Sequence, residues 1–587
     1  MSEKEPAKTI ETVEQNAASN DHNENKSATD DIHAATKDTT ARATSIPGEP
    51  LTTKEAISIA QAGGWEADAL IEQLDKELAA DPRLTKKGIF DLEFANPKYF
   101  TYILVAFASM GGLLSGLDQS LISGANLFLP DDLHLSTHQN SLVNAGMPLG
   151  AVAGAFILSP CNEFFGRKWS IIISCILYTI GGALEAGAMN YQMIVWSRVI
   201  LGMGVGLEGG TVPVYVAETV ERRMRGNMVS LYQFNIALGE VLGYAVAAMF
   251  VSVPGNWRYI LGSSLVFSTI MGIGMLYMPE SPRWLLHKHR TLDAYKVFKR
   301  IRGSTSIEDR EEFFIMKVST EQEQAEVAAG TGSRKAPWLD LFTKPRARRA
   351  LVYANMMIIL GQFTGINVSD VSSLSQRCCH LLTFLQAIMY YMSVLMNQMG
   401  FDKYQSNYMS LVGGGSLLLG TIPAIFLMET CGRRFWAIAM LPCFFIGLVL
   451  IGISYHLPVG SSASLGVYFT GLITYEFFFG SYACLTWVVP SESYPTYLRS
   501  YGMTTSSSLL FLSSFIVTYN FSAMQDAFTR TGLTLGFYGG IAVLGWFYQI
   551  FFVSPAMLFF AFMSMRHSAD TRASPDARNQ RQDFGGD

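Results

Sequence analysis

Charged side chains are scarce: Asp, Glu, Lys and Arg make up 16% of the 587 residues, against 49% hydrophobic and 12% aromatic. That balance excludes an ordinary soluble multidomain enzyme and points to a polytopic membrane protein. Histidine and cysteine are sparse too, with 9 and 7 copies. Cys161, Cys175, Cys378, Cys379, Cys431, Cys443 and Cys484 lack metal-ligand spacing and lie mostly in apolar runs, so they are expected to pack rather than to bind metal or form disulfides. There is no nucleotide-binding loop, zinc pattern or nucleophile triad, which argues against an enzyme and against ATP-driven pumping by this chain. No cofactor, metal or nucleic-acid partner is expected. No signal peptide is visible near the N-terminus, so the first long apolar run is expected to direct insertion into the bilayer.

The chain does have a succession of apolar runs near membrane-spanning length. They begin near Tyr99, Ser141, Trp169, Met193, Met228, Tyr259, Ala350, Tyr408, Trp436, Leu465, Gly502 and Leu535. This predicts an all-α membrane protein of twelve transmembrane helices in two pseudo-symmetric six-helix bundles. The expected organisation is a cytosolic, largely disordered N-terminal region over 1–98, a first bundle over 99–278, a cytosolic linker with short helices over 279–349, a second bundle over 350–556 and a tail over 557–587. Within the N-terminal region, Ala56, Ile57, Ile59 and Ala60, then Ala69, Leu70, Leu74 and Leu78, recur at helical spacing and predict an amphipathic helical cap.

Loop charge orients the chain. Arg167 and Lys168, then Arg222, Arg223 and Arg225, then Arg283 through Arg349, then Arg433 and Arg434, then Arg499 all fall in even-to-odd connections, which places those connections and both termini in the cytosol. The opposite loops "LPDDLHLSTHQN" and "SYHLPVGSSASL" hold no Lys or Arg, and Arg258, Lys403 and Arg530 are isolated exceptions.

The halves also echo each other. "NEFFGRK" after the second run matches "METCGRR" after the eighth, with Glu163 and Glu429 each three residues before a glycine. "YVAETVERRMR" after the fourth matches "VPSESYPTYLR" after the tenth, placing Glu218 before Arg225 and Glu492 before Arg499 at equal spacing. A duplication with charged clamps at the cytosolic ends is the organisation of a secondary transporter, with its substrate near the midplane between the halves.

At this point the residues resemble a known family. "GGLLSGLDQSLISGA", "EFFGRK", "SRVILGMGVG" with "PVYVAE", "RGNMVSLYQFNIALGE", "PESPRWL", "GQFTGIN", "ETCGRR" and "LTWVVPSESYPTYLR", in this order over residues 98–552, resemble the sugar porter family of the major facilitator superfamily, in a fungal type. The resemblance implies a membrane carrier of a small polyhydroxylated substrate that works by alternating access, most simply as a monomer at the plasma membrane.

Asp118 stands in the middle of an apolar helix, where an ionisable group is costly and functional by default. Because removal from water favours the neutral form of a carboxyl, Asp118 is the expected proton carrier. The resemblance pairs it with Arg198 in span four, as in proton-coupled members; the bland alternative makes Asp118 a static partner of that arginine. Substrate contacts implied by the resemblance are Gln233 in span five, Gln362 and Asn367 in span seven, Tyr390 and Tyr391 just beyond, and Trp487 in span ten. Amides supply donors and acceptors for hydroxyls, and an indole supplies a flat apolar face for a ring. Glu163, Arg167, Glu218, Arg225, Glu429, Arg433, Glu492 and Arg499 are expected to gate the cytosolic side.

Three departures from the family pattern widen the substrate to sugars or polyols, inositol included. Gly361 replaces the first of a glutamine pair, Glu240 stands at a glutamine site, and Glu208 and Glu185 add carboxyls to spans four and three. Glu208 and Glu240 are a possible second acidic site, whether for a proton or for a substrate that is not a hexose. The alternatives are a facilitator, a carrier of a specialised metabolite or organic acid, and a non-transporting nutrient receptor.

Residues 368–386, "VSDVSSLSQRCCHLLTFLQ", interrupt span seven. Without them Ala350 to Met396 is about 42 Å of helix at ~1.5 Å per residue, which suits a tilted span. We read the segment as a translated intron. Val368-Ser369 can encode a splice donor, Leu382-Thr383 a branch site and Gln386 a terminal acceptor, and insertions are normally accepted in surface loops rather than inside a helix. The rival reading is a real loop that modifies the substrate site. After "YQIFF" the tail leaves the family pattern, and Val553-Ser554 permits a donor there too.

Overall fold

The computed structural model describes residues 64–80, 97–220, 225–302, 307–328, 337–363, 387–458, 461–494, 498–528 and 539–552. The chain divides into two units: Met1–Ala69, whose described part opens the helix Gly64–Ala80, and Leu70–Asp587, which holds everything below. Regular structure among the described residues is helical throughout.

Every expected span has a counterpart. Spans one to five are Pro97–Ala125, Thr137–Phe164, Arg167–Ala186, Tyr191–Thr219 and Arg225–Phe250, and span six runs Asn256–Gly262 and on through Ser264–Tyr277. Span seven is present as Pro345–Phe363 and Ala387–Gln398; spans eight to twelve are Lys403–Cys431, Arg433–Ser454, Ser462–Ser493, Arg499–Phe528 and Gly539–Phe552. Among the described residues, nine of these are long and apolar enough to cross a membrane, namely spans one to six and eight to ten. The other three are a split span seven, a hydroxyl-rich span eleven and a span twelve described over a short stretch.

Within the first bundle spans two and four approach backbone to backbone. A Cβ on Gly202 or Gly206 would overlap the carbonyls of Met147 and Ala151, the small-residue packing that membrane helices use where no hydrophobic force drives them together. The sequence repeat recurs in the backbone: Gly166 and Gly432, the glycines of "FGRK" and "CGRR", both have left-handed φ of 90° and 84° and open spans three and nine. Glycine adopts that conformation at little steric cost. The surroundings differ, since a Cβ on Gly166 would meet the Glu280 carboxyl at 2.5 Å, whereas Gly432 has open space.

The linker folds into Pro282–His287, Thr291–Arg302, Ile307–Ala328 and Pro337–Thr343. Ile71 and Leu74 are buried against Leu285, Leu286, Tyr295, Phe298 and Phe313 of these helices, and Leu70 and Leu78 flank them. Asp75 accepts hydrogen bonds from Lys299 at 2.8 Å and the Tyr295 hydroxyl at 3.1 Å. Leu70, Ile71, Leu74 and Leu78 therefore pack on the linker helices. Ala56 to Ala60 lie outside the described residues.

Candidate functional site

The deepest polar feature is a cluster of three charges from spans one, three and four. Arg198 Nη2 donates to Asp118 Oδ2 at 2.8 Å, and its Nη1 donates to Asp118 Oδ1 at 3.3 Å and to Glu185 Oε1 at 2.6 Å. Asp118, Glu185 and Arg198 are 1%, 1% and 0% exposed. A buried ion pair tolerates its surroundings only when the charges balance. Here one cation faces two carboxyls, so binding one proton neutralises the cluster.

The seam between the halves is bridged at three depths. In the middle, Trp487 Nε1 donates to Gln233 Oε1 at 2.9 Å, and the indole meets Tyr232 edge-on with ring centroids 4.9 Å apart. Nearby, the Tyr390 hydroxyl reaches Met147 Sδ at 3.4 Å, and the Ser393 backbone N–H donates to Ser123 Oγ at 3.0 Å. At the end away from the linker, Lys403 of span eight pairs with Asp131 at 2.7 Å, both well exposed. At the linker end, the Tyr501 hydroxyl of span eleven donates to Glu163 Oε2 at 3.2 Å. Exposed pairs such as Lys403 with Asp131 contribute about 0–1 kcal/mol.

Three further acids are buried in the spans. Glu208 Oε1, Glu240 Oε2 and both carboxyl oxygens of Glu476 have no hydrogen-bond partner among the described residues. Glu240 and Glu476 belong to opposite halves, on spans five and ten, and are close enough to interact electrostatically. Glu208 packs its carboxyl into the space left by Gly111, where a Cβ would overlap it. A Cβ at Gly111 displaces the far end of the flexible Glu208 side chain, so Gly111→Ala is expected to lower thermal stability by less than the about 1–3 kcal/mol of a rigid overpacked core. Adding Glu208→Ala in the same chain is expected to restore most of it. Strictly additive losses in thermal unfolding would show that the two side chains do not meet.

At the linker-side corner of the first bundle, Arg167 Nη2 donates to Glu218 Oε1 at 2.9 Å, and Ser281 Oγ donates to Glu218 Oε2 at 2.6 Å. Glu280 Oε1 accepts the backbone N–H groups of Arg167, Lys168 and Ser281 at 2.9, 3.1 and 2.9 Å. Burial pushes the Glu280 carboxyl above its ordinary range, opposed by these backbone bonds and by Arg167. The partner that Glu218 meets is thus the arginine of the other motif, Arg167, on a different helix.

The family model for sugar (and other) transporters matches residues 104–373 and 374–565, most of the chain. The chain belongs to the sugar transporter family. This sugar transporter is 70% identical over 501 residues to the myo-inositol transporter FST1 of Gibberella moniliformis, covering 85% of this chain and 84% of that one. It is 29% identical to the galactose-proton symporter of Escherichia coli K12, over 76% of this chain and 90% of the relative. The solved structure of the proton:xylose symporter XylE with a bound bromodeoxyglucose matches with a TM-score of 0.65 at 22% identity, covering 78% of this chain and 97% of that one. The fold is that of the major facilitator superfamily, with twelve helices in two bundles.

For this sugar transporter, the sequence-derived site is brought together in two places: Asp118 with Arg198, and Gln233 with Trp487. Tyr390 and Tyr391 are both buried but part company, since the Tyr391 hydroxyl donates to the Thr518 carbonyl of span eleven at 3.3 Å. Gln362 lies in the helix Pro345–Phe363, and its side chain is outside the described residues, as are those of Arg225, Glu429 and Glu492. Asn367, the segment 368–386 and the tail 557–587 fall outside them altogether, and Arg433 and Arg499 are half-buried. Sequence reasoning missed Glu476 and the contacts that Glu280 and Ser281 make with Arg167 and Glu218, and it left Glu185 without a partner. A lone acid in an apolar run, the signal that singled out Asp118, is also present at Glu476 within "LITYEFFFG".

Proposed function

We infer that this sugar transporter is a proton symporter for a polyol, with a cyclitol of the myo-inositol type as the leading substrate, working by alternating access at the plasma membrane with both termini in the cytosol. The observation that carries the coupling is the buried cluster of two carboxyls and one guanidinium in the first bundle. Protonation of Asp118 weakens its hold on Arg198, substrate joins Gln233 and Trp487 at the seam, and the contacts at one mouth yield while those at the other hold. The strong likeness to a myo-inositol transporter and the acceptors of Glu240 and Glu476 that lack a partner among the described residues favour a ligand rich in hydroxyl donors. The clamp residues gate rather than bind, and the carrier works as a monomer.

The test is uptake of labelled myo-inositol, glucose, galactose and xylose by transporter-deficient cells that express the chain with residues 368–386 deleted, with and without an uncoupler. Inositol uptake is expected, lost when the proton gradient collapses. It is also expected to fall as external pH rises, because the protonated form of Asp118 loads the substrate. Uptake that survives the uncoupler would make the protein a facilitator. No uptake of any polyol despite surface expression would favour the metabolite carrier or the receptor.

A further inference from the structure

Glu208 of span four is buried inside the first bundle at 2% exposed, and its Oε1 has no hydrogen-bond partner among the described residues. Its carboxyl lies against Gly111 of span one, where a Cβ would overlap it. The titratable groups beside it are Cys175 and Tyr178 of span three and Tyr232 of span five, and no Lys or Arg among the described residues balances it. A buried acid kept for structure is paired or hydrogen-bonded, whereas an unpaired one inside the membrane is functional by default.

Three helices place Glu208 on the linker side of the charge cluster. Thr101, near the start of span one, donates to the Ile301 carbonyl of the linker at 2.9 Å, and Arg167 at the start of span three meets Glu218 at the end of span four. Gly111 therefore lies about two turns nearer the linker than Asp118, and Tyr178 about two turns nearer than Glu185, ~10 Å each at ~1.5 Å per residue. On span four Glu208 stands ten residues from Arg198 and ten from Glu218. Tyr178 links the two levels. It is close enough to interact electrostatically with Asp118, Glu185 and Arg198 as well as with Glu208, and its hydroxyl donates at 2.8 Å to the carbonyl of Leu114, between Asp118 and Gly111 on span one. The next residue, Gly209, faces the seam instead, where a Cβ would lie 3.5 Å from the Trp487 ring. The line Asp118, Tyr178, Glu208 thus runs inside the first bundle, apart from Gln233 and Trp487.

We propose that Glu208 is the release station of the coupling proton, set between the Asp118–Glu185–Arg198 cluster and the linker side. This rests on the reading of the protein as a proton symporter loaded at Asp118, which also places the linker side in the cytosol. An unpaired carboxyl sealed from water keeps its proton. When the linker side opens, water reaches Glu208, which gives that proton to the water and becomes a carboxylate. The Asp118 carboxyl then passes its own proton, through water beside Tyr178, to the Glu208 carboxylate. Asp118 returns to Arg198 as a carboxylate, Glu208 is neutral again, and one proton has left on the linker side.

The test uses the chain with residues 368–386 deleted, reconstituted in proteoliposomes with labelled myo-inositol. Two rates are read: net uptake driven by a pH gradient, and exchange at equal pH, which carries the loaded form both ways and needs no net proton release. Glu208→Gln keeps the shape of the neutral acid but cannot pass a proton on. It is expected to slow net uptake about tenfold or more, to spare exchange, and to reach the parent accumulation in the end. Its net uptake is expected to slow further in heavy water, because proton release then limits the cycle. Glu208→Asp, which keeps a carboxyl, is expected to recover much of the net rate. Net uptake by Glu208→Gln at the parent rate, an equal fall in both rates, or a lower final accumulation would each overturn the proposal while leaving symport standing. Exchange without gradient-driven accumulation in the parent chain would instead remove the symport reading, and the release station with it.

Discussion

Asp118→Asn is expected to abolish accumulation of substrate while leaving exchange across the membrane intact. The cluster geometry makes this variant informative, because Arg198 keeps Glu185 at 2.6 Å when Asp118 loses its charge. The buried guanidinium is therefore not stranded, and the several kcal/mol that an unpaired buried charge costs does not arise. Asparagine also keeps an acceptor toward Arg198, so the helices pack as before. What is lost is the ability to take up and release a proton. One pH unit supplies about 1.4 kcal/mol, or about tenfold accumulation at one proton per substrate. In proteoliposomes with an imposed pH gradient that ratio is expected to collapse to equilibration in the variant, while counterflow at equal pH continues. Concentration against the gradient by Asp118→Asn would remove Asp118 from coupling, and Glu185→Gln would then be the variant to examine. Arg198→Ala is a poorer probe, because it leaves two buried carboxyls without their cation, at a cost of about 3–5 kcal/mol.

The second large effect concerns residues 368–386. Deleting them joins Asn367 to Ala387, and the shortened protein is expected to transport where the full-length chain does not. The segment carries Asp370, Arg377 and His380 in sequence between the two described stretches of span seven, and a charged residue at the centre of a membrane helix costs about 3 kcal/mol on insertion scales. Both flanks behave as helix: Pro345–Phe363 before the segment, and Ala387–Gln398 after it, with Tyr390 and Tyr391 buried directly downstream. The two stretches matched by the family model meet between residues 373 and 374, inside the same segment. Sequencing the spliced transcript across the codons for Asn367 and Ala387 is the companion measurement. A message that lacks these codons identifies them as intron. If they are translated and the full-length chain transports as well as the deletion, the segment is a loop beside the substrate path, and the substrate assignment must accommodate it.

The number of spans and the positions of the isolated acids were legible in the amino-acid order, because hydropathy over about 20 residues is a local property. So was the repeat, down to Gly166 and Gly432, whose shared left-handed backbone a matching motif anticipates. Partner choice was not legible in the same way. Glu218 lies seven residues before Arg225, a spacing that invites pairing them, yet the folded chain gives Glu218 to Arg167 and Ser281. Glu185 read as one extra carboxyl among several, and only the packing of span three against span four delivered it to Arg198.

The sequence by itself determined a helical membrane carrier, its loop-charge asymmetry, the acid in span one and the amides and indole suited to hydroxyls. The tertiary structure alone decided that two carboxyls share one arginine, that Gln233 and Trp487 meet across the seam, and that Glu240 and Glu476 approach from opposite halves. The physical reason is one of range. Burial of a helix depends on the composition of consecutive residues, whereas the charge balance of a buried site depends on which side chains several helices bring within about 3–4 Å of one another.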